Sequence, residues 1–208
     1  MRSRPLLTAF TLGLGSVLAL VWILAPGSLP VASAAHIGPV TTTDDELNDD
    51  DDCSLREAIQ ATNTDSPVDE CPAGSGDDTI TLPEGTYTLT ITGASENSNL
   101  SGDLDIFDTD ALTITGAGPD QTIINANTID RAVHIGTGAG PVVISGVTIL
   151  NGNIAGNGGG IRNQNARLTL INTILRDNTA DYGGGLYLYQ GSATLIRGQI
   201  LSNSANFD

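Results

Sequence analysis

The stretch Gly158-Gly159-Gly160-Ile161 recurs 25 residues later as Gly183-Gly184-Gly185-Leu186. Two segments that follow recur at the same distance: Leu168-Thr169-Leu170-Ile171 with Ala193-Thr194-Leu195-Ile196, and Asp177-Asn178-Thr179-Ala180 with Ser202-Asn203-Ser204-Ala205. A fixed period of this length is typical of solenoids, whose repeats stack to bury their apolar faces. Apolar residues alternate over short runs within each repeat, as they do in strands. We therefore predict an all-β fold made of stacked coils, a parallel β-helix.

The charge balance of the chain is strongly acidic. Its 208 residues, enough for one domain, contain 24 acids and eight cationic side chains, all arginine, for a net charge of −16. Loss of Arg2 and Arg4 with a leader would make the charge −18. Such a surface repels the phosphates of nucleic acids and the headgroups of anionic membranes, so we expect neither as a partner.

Residues 1–35 are predicted to be a signal peptide. Arg2 and Arg4 give a positively charged start, residues 6–25 are mostly apolar, and residues 32–34 supply the small side chains of a cleavage site. The apolar stretch is long for a signal, so a retained membrane anchor stays the alternative. Either way we predict a secreted or cell-surface protein.

Residues 36–76 are predicted to form an N-terminal cap. The acidic run 44–52 lacks the alternating ligands and central glycine of an EF-hand loop, so we interpret it as a solvated loop. Ser54 and Glu57 form a capping box, which predicts a helix over 54–63. That helix would cover the apolar bore and the unpaired strand edge of the first coil.

Cys53 and Cys71 are the only cysteines of the chain. In an exported protein such a pair is expected to be oxidised. The disulfide would tie the helix to the loop after it and would contribute about 3 kcal/mol in the chain-entropy model. A metal role for the pair would need further ligands nearby, and the sequence supplies none.

Residues 77–208 are predicted to form the coils. Alternating apolar runs predict strands at 78–82, 86–91, 102–106, 112–116, 122–125, 132–135 and 142–149. Counting near 25 residues per coil from Asp77 predicts about five coils. The repeat pattern leads us to expect a further glycine-rich strand after Asp208, so that the solenoid would be incomplete at its C-terminal end.

The sequence Cys53-Ser54-Leu55-Arg56-Glu57-Ala58 resembles the CSLREA domain, which begins secreted bacterial proteins with right-handed parallel β-helix repeats. The similarity continues through 77–83 and 102–106 and through the Gly-Gly-Gly-Ile and Asn-x-Ala repeats, which resemble those of chlamydial polymorphic outer membrane proteins. It covers nearly all of the chain after the leader. The resemblance implies an exported, right-handed, pectin-lyase-like solenoid at the cell surface or outer membrane, and it implies no particular activity.

Asp103 and Asp105 are the candidate metal ligands. They lie two residues apart and would share one face of a strand, with Asp108 and Asp110 in the turn that follows. A polysaccharide lyase could use them to hold calcium, the one cofactor considered, whereas a hydrolase would need paired carboxylates on neighbouring coils. Because no partner acid or arginine lies at the matching distance, we interpret both aspartates as outward, solubilising residues.

His134 is predicted to point outward between Val133 and Ile135, with Arg131 close by in sequence. A histidine without a placed acid or nucleophile is usually a surface or packing residue, and we interpret His134 in this way. The sequence therefore identifies no catalytic residue, and we favour a protein that is not an enzyme.

Arg162, Tyr187 and Tyr189 form a candidate ligand face. At a period of 25, Arg162 would lie beside Tyr187, and Tyr189 would share the outer face with Tyr187. We predict a cation–π contact between Arg162 and Tyr187 of about 0.5–1 kcal/mol. The same aromatic pair could bind a glycan or a cell-surface partner, although stacking that only stabilises the coils is the simpler interpretation. Asn178 and Asn203 are predicted to hydrogen-bond from coil to coil.

These features favour a secreted or cell-surface scaffold for adhesion or surface display. The first alternative is a carbohydrate-active enzyme of the same fold, either a polysaccharide lyase or a glycoside hydrolase. The second is a spacer that carries a C-terminal module. Membrane contact would come only through the leader or through such a module.

Overall fold

The computed structural model describes residues 35–94 and 96–207. The predicted signal peptide at 1–35 lies, apart from Ala35, outside the described residues. Within the described ranges the chain forms one α-helix and 18 β-strands, and every ladder between these strands is parallel. No helix in this part of the chain is both long and apolar enough to span a bilayer.

The helix α1 is Leu55–Thr64. The strands are β1 (His36–Ile37), β2 (Asp78–Leu82), β3 (Gly85–Thr88), β4 (Leu104–Ile106), β5 (Leu112–Gly116), β6 (Thr122–Asn125), β7 (Val133–Ile135), β8 (Val142–Ser145), β9 (Thr148–Leu150), β10 (Asn153–Asn157), β11 (Ile161–Gln164), β12 (Arg167–Ile171), β13 (Ile174–Arg176), β14 (Thr179–Tyr182), β15 (Leu186–Tyr189), β16 (Ser192–Ile196), β17 (Gln199–Leu201) and β18 (Ser204–Ala205). The single predicted strand at 142–149 is interrupted at Gly146, whose φ of 63° is a left-handed conformation that favours glycine.

The strands stack into a parallel β-helix, as predicted. The first sheet has the order β1-β2-β5-β8-β12-β16, the second β3-β6-β9-β13-β17, and the third β4-β7-β11-β15. A short fourth sheet, β10-β14-β18, begins in the third coil. The described residues therefore make four coils and the start of a fifth, in which each strand pairs with its equivalents in the coils before and after.

The coil length is not constant. In the first sheet Asp78 pairs with Leu112, Leu112 with Val142, Val142 with Leu168, and Leu168 with Ala193. Successive coils thus advance by 34, 30, 26 and 25 residues. The expectation of a period near 25 from Asp77 onward is wrong for the early coils, because long connections at 89–103 and 126–132 separate the second sheet from the third.

Aliphatic ladders fill the bore. Ile80, Ile114, Ile144 and Leu170 are successive partners in the first sheet, and all four are buried. In the third sheet the ladder is Leu104, Val133, Ile161 and Leu186. Burial of each such side chain contributes roughly 1.5–3 kcal/mol, so the bore is the main source of stability. The pairing of Ile161 with Leu186 is the one predicted from the glycine repeat.

Asparagines link successive coils where the chain turns. The Asn178 side-chain amide donates to the Asn203 side-chain oxygen at 3.0 Å and to the Ile149 carbonyl at 3.2 Å. Its side-chain oxygen accepts from the Gly152 amide at 2.8 Å. The predicted ladder of Asn178 and Asn203 is therefore confirmed, and it satisfies backbone groups that would otherwise be buried without partners.

The helix α1 covers the start of the solenoid, as predicted. Ser54 caps it, and the reciprocal hydrogen bonds with Glu57 complete the capping box. On the side facing the coils, the Asn63 side chain donates to the Asp105 carbonyl at 2.7 Å and accepts from the Phe107 amide at 2.7 Å. Because β4 has no strand on that side, Asn63 replaces part of the missing ladder.

The cap is held by covalent and ionic contacts. Cys53 and Cys71 form the predicted disulfide, and both residues are buried. Arg56 is also buried, and its guanidinium donates to Asp45 at 2.6 Å and to the carbonyls of Gly102 and Asp103 at 2.9 and 3.0 Å. These contacts bind the helix to the connection that leads into β4.

The interpretation of residues 44–52 as a solvated loop is wrong for Asp45. Its side chain is only 3% exposed, and its carboxylate accepts from the backbone amides of Thr90 and Ile91 as well as from Arg56. The acidic run therefore supplies one buried anion, which neutralises the buried guanidinium. This role could not be predicted from the sequence, because the Thr90 amide that Asp45 accepts from lies 45 residues away.

Replacement of Arg56 by Leu is expected to destabilise the protein by about 3–5 kcal/mol, because it leaves the buried Asp45 charge unpaired. Urea denaturation of the full chain would measure the change. Arg176→Leu is the matched control, since Arg176 pairs with Asp177 on the surface, and such a pair contributes about 0–1 kcal/mol. Equal losses in the two variants would contradict the role of Arg56.

Candidate functional site

Four polar side chains form one column on the outer face of the third sheet. Asp105 on β4 pairs with His134 on β7, His134 with Arg162 on β11, and Arg162 with Tyr187 on β15. We call these four residues the outer column. Neighbouring strands in a sheet lie about 4.8 Å apart, so the column brings together groups that are distant in sequence.

Asp105 and His134 form the buried end of the outer column. His134 Nδ1 lies 2.7 Å from Asp105 Oδ1, and its Nε2 lies 2.8 Å from Gln164 Oε1. The other Asp105 oxygen accepts from the Asn99 amide at 3.1 Å. Both ring nitrogens of His134 are thus engaged by side chains of the neighbouring strands.

Asp103 and Arg131 form a second buried pair beside the outer column. Arg131 Nη1 donates to Asp103 Oδ2 at 2.8 Å. Burial raises the pKa of Asp103 to about 6; the Arg131 guanidinium opposes this shift, and the charges of Asp105 and Asp130 add to it. Burial likewise raises the pKa of Asp130, whose Oδ1 accepts from the Arg131 backbone amide at 2.7 Å.

The interpretation of Asp103 and Asp105 as solubilising surface residues is wrong, and of the two roles considered for His134 the structure shows packing. They point away from the bore, but Asp105 is 0% exposed and His134 is 1% exposed. The connection 89–103 folds over them through Asn99, which bonds to both the backbone and the side chain of Asp105. Phe107 contacts the His134 ring edge-to-face with centroids 5.5 Å apart.

The expectation that these aspartates lack partners on the next coil is also wrong. Arg131 lies 28 residues after Asp103, and His134 lies 29 residues after Asp105. A search at a distance of 25 misses both partners. The signal that could have found them is the apolar-polar-apolar triad, since Leu104-Asp105-Ile106 and Val133-His134-Ile135 align directly.

The calcium role of Asp103 and Asp105 stays a prediction. One ligand atom from each, together with one from His134, lies within 4.8 Å of the others. Calcium prefers six to eight oxygen ligands, however, and here the ligand set is two carboxylates and an imidazole beside a guanidinium. Both carboxylates already accept hydrogen bonds from protein groups, so this ligand set suits a structural cluster better than a calcium site.

Among the described residues, two further clusters of acidic side chains are close enough to hold a metal ion, and both lie in the cap. Glu46, Asp50 and Asp52 form one cluster, and Asp52, Glu57 and Asp69 form the other. Asp69 accepts from the backbone amides of Asp50 and Asp52, and Glu57 accepts from those of Asn48 and Ser54. These carboxylates fix the path of the cap loop.

The candidate ligand face has the predicted register. Arg162 pairs with Tyr187, and Gln164 pairs with Tyr189. Tyr189 is 52% exposed, while Arg162 and Tyr187 are half-buried. The predicted cation–π contact is not formed: within the described ranges the ring contacts are Phe107 with His134 and Tyr182 with Phe207. The ligand role of these residues stays a prediction.

Asp108 and Asp110 differ in their burial. Asp108 is buried, and its Oδ2 has no hydrogen-bond partner among the described residues, whereas Asp110 is exposed. Burial raises the pKa of Asp108 to about 6, although a hydrogen bond from the Asp110 amide opposes the shift. The folded protein therefore holds a proton on Asp108 at a pH where the unfolded chain has lost it.

Comparisons of the chain with protein-family models, with curated proteins and with solved structures each give no match. The fold described above rests on the strand pairing of this chain alone. The resemblance to the CSLREA domain accordingly stays an expectation from the sequence.

The unfolding free energy is expected to fall as the pH rises from about 4 to about 6. The ordinary pKa of an aspartate is about 3.9, so in this window the folded state binds more protons than the unfolded state through Asp108 and Asp103. Asp108→Asn imitates the protonated side chain, so the variant should show a shallower fall and should be more stable than wild type at pH 7.

Urea denaturation at pH 4, 5, 6 and 7 would test this expectation. Asp120→Asn is the control, because Asp120 is an exposed turn residue. If Asp108→Asn and wild type show the same slope between about pH 4 and 6, Asp108 does not hold its proton in the folded state.

Proposed function

We propose that this protein is a non-catalytic scaffold, secreted or held at the cell surface, whose solenoid presents an outer face for adhesion. The observation that carries this proposal is the burial of the Asp105–His134 pair. These are the groups best suited to acid–base chemistry on the third sheet, yet they are buried and bonded to protein partners.

A catalytic acid or base must come within hydrogen-bond reach of the substrate. The Asp105 carboxylate bonds to His134 and Asn99, and the His134 ring nitrogens face Asp105 and Gln164. A substrate would have to displace Asn99 or Gln164 before it touched either group. The pair therefore stabilises the first two coils in the way that other buried polar networks do.

The less buried part of the same sheet suits recognition. Beyond the buried end of the outer column, Gln164, Tyr187 and Tyr189 occupy the outer side of the third and fourth coils. Tyrosines combine a flat apolar ring with a polar tip, which suits contact with sugars and with protein surfaces. We propose this region as the adhesion surface and a glycan or a cell-surface protein as its partner.

Export is supported by three further features. The Cys53–Cys71 disulfide is buried in the cap and suits an oxidising compartment. The leader-like residues 1–35 and the resemblance to CSLREA proteins point the same way.

A carbohydrate-active enzyme is the second candidate. The observation in its favour is the 2.7 Å contact between His134 and Asp105, since a carboxylate that orients an imidazole is common in catalytic sites. Opening of the connection 89–103 would be needed to expose this pair.

Replacement of both Tyr187 and Tyr189 by Ala is expected to abolish adhesion to glycan-coated and cell-coated surfaces, because it removes both tyrosine rings of the adhesion surface. Tyr182→Ala is the matched control, since Tyr182 is an exposed tyrosine on β14, outside the third sheet. Surface plasmon resonance on the full-length protein would measure the change. Unchanged binding by the double variant would overturn the adhesion proposal.

An activity assay on the same protein preparation distinguishes the scaffold hypothesis from the enzyme hypothesis. Incubation with acidic and neutral polysaccharides, with and without a chelator, should release neither unsaturated nor reducing ends. Release that disappears with the chelator would reject the non-catalytic scaffold and support a metal-dependent enzyme.

A further inference from the structure

We propose that the C-terminal end of the solenoid binds the same end of a second copy of this chain, so that two molecules form a closed end-to-end dimer. The surface concerned is the end of the last winding, residues 183–207, which contains strands β15 to β18. The inference goes beyond the proposed function, which concerns the outer side of the third sheet rather than the end of the solenoid.

The bore is uncovered at the last winding. Leu195 is the ladder partner of Leu170, and Ile200 is the partner of Leu175. Leu170 and Leu175 are 1% and 0% exposed, whereas Leu195 and Ile200 are 40% and 46% exposed. Because the two members of each pair occupy equivalent positions, the difference shows what a further layer contributes. Among the described residues, Leu195 and Ile200 lack such a layer.

Exposed apolar side chains collect in this part of the molecule. Of the nine large apolar side chains that are exposed in the described ranges, Leu100 lies apart and the others lie at 182–207. Scattered apolar residues are ordinary on a protein surface, but a collection of them marks an interaction site.

The strand edges of the last winding are also free. Strands β15, β16, β17 and β18 each end their sheet and have a ladder partner on one side only within the described ranges. Proteins usually protect such edges with charged residues, proline or a covering element. The sequence 182–207 contains no proline and no acidic residue, and its one charged side chain is that of Arg197. The edges are therefore open to pairing with another chain.

The distribution of charge favours a second copy as the partner. With a net charge of −16, two copies repel each other over most of their surfaces. The last winding has no acidic residue between positions 182 and 207, so two copies can approach there without this repulsion. A cationic partner, in contrast, would be attracted to the acidic surfaces elsewhere on the chain.

The size and position of the surface suit a closed dimer. A standard interface uses about 20–30 residues on each side, and one winding here advances by 25 residues. A head-to-tail stack would need a free N-terminal end, but α1 packs against β2 and β4, and β1 pairs with β2. The same end of each copy therefore meets its counterpart across a two-fold axis, and assembly stops at two molecules.

Sedimentation equilibrium of the full chain tests the dimer. Wild type is expected to pass from monomer to dimer as its concentration rises through about 1–100 μM, the range for an interface of modest affinity. Ile200→Glu should weaken association about a hundredfold or more, because it places two unpaired like charges inside the interface. Leu100→Glu is the matched control: it changes the net charge equally at an exposed leucine in the connection 89–103 and should associate like wild type.

Hydrogen exchange of the wild type locates the interface without any substitution. Backbone amides of β15 to β18 should exchange more slowly at a concentration where the dimer predominates than at one where the monomer does. Amides of β5 and β8 should be unchanged, because these strands already have ladder partners on both sides. This measurement decides the question if Ile200→Glu does not fold.

A wild type that stays monomeric throughout the concentration range would overturn the proposal. So would equal association of wild type and Ile200→Glu, or slower exchange confined to residues outside 183–207, since either result would place the contact elsewhere on the chain. Species that grow beyond a dimer with rising concentration would reject the closed two-fold arrangement.

Discussion

Parallel, in-register stacking of the coils is the constraint on which the rest of the structure depends. Each strand has its equivalent about 4.8 Å away, so a residue type placed in one coil is placed beside its counterpart in the next. Inward, this yields continuous aliphatic ladders such as Ile80–Ile114–Ile144–Leu170. At the turns it yields the amide ladder of Asn178 and Asn203.

The same stacking decides what the outer face can do. It aligns Asp105, His134, Arg162 and Tyr187 on the third sheet. Asp105 and His134 are buried, whereas Arg162 and Tyr187 are half-buried. The cap and the connection 89–103 close over the first two residues and convert them into a structural network. Among the described residues the outer face of the third and fourth coils is less buried, and the proposed adhesion surface lies there.

The sequence predicted the parts of the fold that repeat or that carry a local signal. The glycine triplets gave the pairing of Arg162 with Tyr187, the capping box gave the helix, and the two cysteines gave the disulfide. The buried network around Asp105 could not be predicted in this way, because its partners lie 28 and 29 residues apart rather than 25. Its cover comes from a connection with no repeat of its own, and a tertiary contact such as Asn99 with Asp105 leaves no periodic trace.

Methyl–methyl nuclear Overhauser effects along the bore test the stacking most directly. The structure predicts cross-peaks between Ile114 and Ile144 and between Ile144 and Leu170, which occupy adjacent coils. It predicts none between Ile80 and Ile144, which lie two coils apart, at about twice the 4.8 Å strand spacing. Absence of the first two cross-peaks, or a strong Ile80–Ile144 cross-peak, would contradict the in-register solenoid.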